Sequence, residues 1–115
     1  MRLRSVIIAS SQLKKVLNFY ELLGLVFQRN QVSLGTEFYT SQIENLEISF
    51  IEKINIRVDS QPHYTFSFKV SDINSIFNKL TQAGFIGILD PIDDKEGKKA
   101  ILMDPDGRSV EITSY

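Results

Sequence analysis

Cysteine is absent from this chain, which excludes disulfides, thiolate nucleophiles and sulfur-ligated metal sites together. Histidine occurs once, at position 63, so no site needing two imidazoles can be assembled. An excess of one charge is missing as well. Thirteen Lys and Arg stand against 14 Asp and Glu, and the basic residues do not cluster, so nothing points to nucleic acid. No apolar run approaches the roughly 18 residues of a membrane helix. The opening Met1-Arg2-Leu3-Arg4-Ser5-Val6-Ile7-Ile8-Ala9 has a basic start but only a short apolar run without a clear cleavage site. It reads as a strand rather than a signal peptide. What is present is ordinary for a globular protein: 43% hydrophobic and 23% charged residues. A length of 115 residues fits one compact domain, and a soluble cytoplasmic protein is expected.

The chain repeats itself. From Gln12, apolar residues fall at Leu13, Val16, Leu17 and Tyr20; from Asp72 they fall at Ile73, Ile76, Phe77 and Leu80. Both sets follow i, i+3, i+4, i+7, one face of a helix, and each matched pair is 60 residues apart. Capping candidates precede both, Ser10 or Ser11 in the first and Ser71 or Asp72 in the second. Gly24 and Gly84 end them.

Strand patterns flank the helices in the same order. One precedes each helix, Ser5–Ser10 and Tyr64–Val70. Three follow each: Leu25–Asn30, Leu34–Thr40 and Leu46–Ile51, then Phe85–Leu89, Lys99–Met103 and Ser109–Thr113. Asp104-Pro105-Asp106-Gly107 is a strong turn signal between the last two. The expected fold is α+β, two tandem βαβββ modules, within a single domain 1–115. Module one covers about 1–52, a polar connector 53–62, and module two 63–115. Ile54, Ile56 and Val58 alternate within the connector and suggest a longer fourth strand. The competing reading is a ferredoxin-like or other α+β sandwich whose helices match by chance.

The segment Phe19–Phe27, FYELLGLVF, resembles the FY…LGL.F signature of the glyoxalase/bleomycin-resistance/dioxygenase (vicinal oxygen chelate) superfamily. DPDGRSVEIT, Asp104–Thr113, resembles its C-terminal DPDG…E signature. The resemblance spans nearly the whole chain. It implies curved sheets around a ligand cleft with the helices outside, and commonly a homodimer. In metal-dependent members four side chains hold one divalent cation, which polarises substrate oxygens.

Carried over residue by residue, the resemblance puts Ser5, Glu47, Thr65 and Glu111 at the four ligand positions. Ser5 and Thr65 are 60 apart and Glu47 and Glu111 are 64 apart, as four extra residues in the second module would give. Serine and threonine hydroxyls are poor ligands for Zn²⁺, Ni²⁺ or Fe²⁺, so no tightly bound metal is expected. The alternative is a divalent ion on Glu47, Glu111 and His63, although His63 lies roughly 7 Å along the strand from the ligand position.

The expected cleft wall comprises Ser5, Glu47, Ser49, His63, Thr65, Ser67, Glu111 and Thr113, with Glu111 and Glu47 as candidate catalytic acids. The plainer readings are an exposed His63 after Pro62, surface roles for Glu47 and Glu111, and helix packing for Phe19 and Tyr20. Asp93-Asp94-Lys95-Glu96-Gly97-Lys98-Lys99 reads as a solvated hairpin loop.

These residues point first to a protein that binds a small organic ligand without a tightly held metal. A metal-dependent lyase or isomerase of the glyoxalase type comes second, and a non-catalytic interaction domain third. If the two glutamates converge without a metal, repulsion and burial raise the pKa of one and make it a general base. A dioxygenase is disfavoured by the single histidine. No membrane or nucleic-acid partner is expected, and exposed sheet edges favour a homodimer.

Overall fold

The computed structural model describes residues 1–31, 37–52, 64–95 and 97–115. His63, the connector 53–62 with its alternating apolar residues, and 34–36 of one expected strand lie outside them. The chain divides into two compact units, Met1–Val58 and Asp59–Tyr115. Among the described residues no helix is long and apolar enough to cross a membrane.

The first unit runs β1 Ser5–Ser10, α1 Leu13–Leu23, β2 Gln28–Gln31, β3 Glu37–Ile43 and β4 Leu46–Glu52. Its sheet has the order β1-β4-β3-β2, with β1 parallel to β4 and the other pairs antiparallel. The helical period of the sequence becomes the buried face of α1: Val16, Leu17, Tyr20 and Leu23 are all buried. Tyr20 packs on Phe50 of β4 with ring centroids 5.0 Å apart, and Phe27 meets Phe50 edge-on at 5.7 Å. Phe19 and Tyr20 are therefore packing residues. Each such side chain stabilises the unit by about 1.5–3 kcal/mol through burial.

Capping differs from the expectation. Gln12, not Ser10 or Ser11, is the N-cap of α1, and it makes no side-chain cap. Ser10 Oγ instead accepts from the Gln12 N–H at 3.0 Å, bracing the entry one step earlier. Gly24 closes the helix at φ +130°, donating to the carbonyls of Tyr20 and Glu21, a geometry that side-chain-bearing residues seldom adopt.

The second unit runs β5 Phe66–Val70, α2 Ile73–Gln82, β6 Ile86–Asp94, β7 Gly97–Met103 and β8 Ser109–Ser114, with sheet order β5-β8-β7-β6. It repeats the first unit's connectivity, with β5 parallel to β8. Asp72 caps α2, its carboxylate accepting from the Ser75 N–H at 3.1 Å. Phe77 and Leu80, counterparts of Leu17 and Tyr20 at 60 residues, are buried, as are Ala100, Leu102, Val110 and Ile112 of the sheet.

Several segments depart from the sequence reading: β2 starts at Gln28 rather than Leu25, and β5 at Phe66 rather than Tyr64. β6 continues through Asp90-Pro91 to Asp94, beyond the expected end at Leu89. Register shifts at Gly87/Leu89 and Leu89/Ile92 let the strand carry a proline, which has no N–H to give a regular ladder. The charged run expected as a loop is mostly paired strand. Asp93 lies across from Lys98 and Asp94 from Gly97, so opposite charges face each other over the hairpin.

The Asp104–Gly107 turn carries more structure than a turn signal requires. Asp104 Oδ1 accepts from the Asp106 N–H at 2.9 Å and the Arg108 N–H at 3.0 Å. Its Oδ2 meets the Arg108 guanidinium, and both residues are nearly inaccessible, 3% and 2% exposed. Tyr64 lies over that guanidinium, 5.0 Å from ring centroid to Cζ. The acid of this motif holds its own loop together and its arginine in place.

Candidate functional site

Strand alternation sorts the sheet residues into two faces. In the first unit Ile8, Ile48 and Phe50 turn toward α1, so Ser5 and Ile7 of β1, Glu47 and Ser49 of β4, and Thr40 and Gln42 of β3 share the opposite face. The pairings form polar rows. Ser5 lies across from Glu47, and Glu47 from Gln42; Ile7 lies across from Ser49, and Ser49 from Thr40. Thr40 Oγ1 and Ser49 Oγ share a hydrogen bond of 2.9 Å, which allows Ser49 to be 5% exposed. Glu47 approaches Arg4 at 4.0 Å, an open surface contact that contributes little.

In the second unit Phe66, Phe68, Leu102, Val110 and Ile112 make one face, and Gly87 on it abuts the Phe77 ring of α2. The other face carries Ser67 and Lys69 of β5, Ser109, Glu111 and Thr113 of β8, and Lys99 and Ile101 of β7. Ser67 Oγ donates to Glu111 Oε1 at 2.7 Å. Lys99 Nζ stands 3.5 Å from Glu111 Oε2 and 3.7 Å from Asp94 Oδ2. Thr65 and Ser109 hydroxyls pair at 2.8 Å. Glu111 is 27% exposed on its side chain, partly desolvated yet reachable. A hollow of about 110 Å³ opens beside it, bordered by Lys69, Asp94, Lys99, Glu111 and Thr113.

Glu47 and Ser49 thus share one sheet face with Ser5, while Thr65, Ser67, Glu111 and Thr113 share one face of the other sheet. His63 lies outside the described residues. The spacing argument equating the two glutamates does not survive the register. Ser5 faces Glu47, whereas Glu111 faces Ser67, two residues beyond Thr65, and Thr65 bonds Ser109. By pairing, Ser109 is the counterpart of Glu47, and Ser49 that of Glu111.

Sequence reasoning missed Lys99, Ser109 and Thr40. Lys99 opens an expected strand, Lys99–Met103, and shares parity with Ile101 and Met103, but it also ends the charged run read as loop and was not placed on the cleft wall. A second hollow, of about 510 Å³, also went unanticipated; Gln12, Lys14, Leu17, Glu37, Tyr39 and Glu52 are among its walls in the first unit. Arg29 bonds Glu37 there, and the Tyr39 hydroxyl donates to Glu37 at 3.1 Å. The Arg29 bond holds the Glu37 carboxyl below its usual range, and the Glu37 bond holds the Tyr39 phenol above its own.

Each polar face offers one glutamate among hydroxyls, and an ammonium already stands against Glu111. Among the described residues no three of His, Asp and Glu come together as a ligand set.

No family model matches the chain, and no curated protein does. Solved structures do match it in fold. A glyoxalase-related enzyme from Fulvimarina pelagi superposes with a TM-score of 0.77 at 16% identity, over 100% of this chain and 88% of that one. TnmS3, an antibiotic binding protein from Streptomyces sp. CB03234, gives 0.75 at 14% identity, covering 99% and 95%. A glyoxalase family protein from Enterococcus faecalis gives 0.69 at 22% identity, covering 97% and 96%. The α+β arrangement of two four-stranded sheets and two helices is therefore that of glyoxalase-like structures.

Proposed function

We propose that the protein binds a small organic molecule on the polar sheet faces described above, without a tightly bound metal. The observation that carries this reading is the environment of Glu111. A hydroxyl donates to one oxygen at 2.7 Å and an ammonium stands 3.5 Å from the other, beside a hollow open to a ligand. A face of hydroxyls, amide and carboxylate offers both donors and acceptors, while Ile7 and Ile101 add apolar surface between them. The antibiotic binding protein of the same fold is a precedent for such a role, by analogy of fold alone.

The test is the metal content of purified, untagged protein by mass spectrometry, followed by thermal shift with Mn²⁺, Co²⁺, Ni²⁺ and Zn²⁺ against Glu111→Gln. The expected result is substoichiometric metal and no shift that depends on Glu111. Near-stoichiometric metal, or a stabilisation that the substitution abolishes, would overturn this reading in favour of a metal-dependent lyase or isomerase.

A further inference from the structure

We infer that the cross-strand row Lys69–Thr113–Lys99 receives the anionic group of a small organic acid. This rests on the reading that the polar face of the second sheet binds a ligand, and it names the ligand's charge. Thr113 of β8 lies directly between Lys69 of β5 and Lys99 of β7. With strands about 4.8 Å apart, the two lysine backbones stand about 10 Å apart with a hydroxyl between them. Two long, flexible ammonium arms and one hydroxyl can close on a single carboxylate from three sides.

One ammonium of this row is open to an anion, and the other is only loosely held. Lys99 has two carboxylates near it, but at 3.5 and 3.7 Å both lie beyond direct hydrogen-bond length, so neither holds it tightly. The Lys69 side chain is exposed and makes no hydrogen bond or ion pair with the described residues. On this face the hollow is lined by Lys69 and Lys99 against Asp94 and Glu111, Lys98 turning to the opposite face by alternation, so the charges balance and Lys69 is the ammonium left to meet a ligand. At about 110 Å³ it has room for a carboxylate and a few further atoms. The body of a larger acid then has an apolar surface to lie on. Ile92 is paired with Lys99 and is 47% exposed, and Ile101 is paired with Glu111. Ser67 and Glu111 complete the row beside it, where a ligand hydroxyl can donate to the carboxylate.

The experiment is a titration of the full chain, followed by amide chemical shifts, with benzoate, benzamide and benzylammonium, three probes of one shape and different charge. Inorganic phosphate is titrated alongside. Benzoate is expected to move the amides of Lys69, Lys99 and Thr113 saturably, and to bind at least about tenfold more tightly than the other two aromatic probes. Lys69→Met and Lys99→Met should each remove that preference. Lys99→Arg, which keeps the charge, should retain it, and Lys79→Met on α2 should change nothing. Benzamide or benzylammonium binding this face as tightly as benzoate would overturn the anion assignment and leave the small-ligand reading standing. Phosphate matching benzoate would overturn the organic-acid assignment. If no aromatic probe moves either polar face, both readings fall.

Discussion

Replacing Asp104 with alanine tests whether the most distinctive motif of this sequence is structural. The side chain accepts two backbone N–H bonds, at 2.9 and 3.0 Å, and pairs with a guanidinium that is 2% exposed. Hydrogen bonds to a charged acceptor contribute about 1.5–3 kcal/mol each, and breaking a buried ion pair costs about 3–5 kcal/mol because a charge is left behind. These terms overlap, since one carboxylate serves both. Arg108 also keeps Asp106 at 3.6 Å and the Tyr64 ring at 5.0 Å, which offset part of the loss. The expected cost is therefore about 3–4 kcal/mol, a large part of the 5–15 kcal/mol that holds a typical domain folded. At about 4 °C per kcal/mol for a chain of this size, Tm falls by about 12 °C or more. Urea unfolding and calorimetry measure it. Asp104→Asn, which keeps an acceptor and loses the charge, should fall between wild type and alanine. In the double variant Asp104→Ala with Arg108→Met the buried charge is gone, so at least about half the loss should return. A cost below about 1 kcal/mol for the alanine variant, or no recovery in the double variant, would refute the reasoning.

Two further outcomes follow from the geometry. A Cβ added at Gly87 would stand 2.7 Å from the Phe77 ring, which is itself buried, so Gly87→Ala should destabilise the protein by about 1–3 kcal/mol in the same unfolding assays. The Glu37 carboxyl, lowered by its bond from Arg29, should titrate below 4.5 in a side-chain NMR titration. A depressed carboxyl contributes stability above its unfolded value that is lost as pH falls through the folded one. Glu37→Gln should therefore flatten the loss of stability below about pH 4.5, more visibly in low salt because the pair is exposed. An unchanged acid profile would count against the pair.

What the sequence determined by itself was local or periodic. The i, i+3, i+4, i+7 pattern placed both helices and their buried faces, because that period depends only on helix geometry. Alternation told which face each strand residue takes, and so put Glu47 with Ser49 and Glu111 with Thr113 on polar faces. Asp104-Pro105-Asp106-Gly107 announced its turn through backbone preferences alone. Partnership across strands was decided only by the tertiary structure. A period of two fixes the face but not the register, so Ser67 rather than Thr65 stands against Glu111, and the allowance of four extra residues that equated the two glutamates was two too many. The same holds for Lys99, whose meaning depends on β7 lying beside β8. Arg108 is the clearest case: nothing local in the sequence marks it for burial, and only the fold of the loop around Asp104 makes its burial affordable.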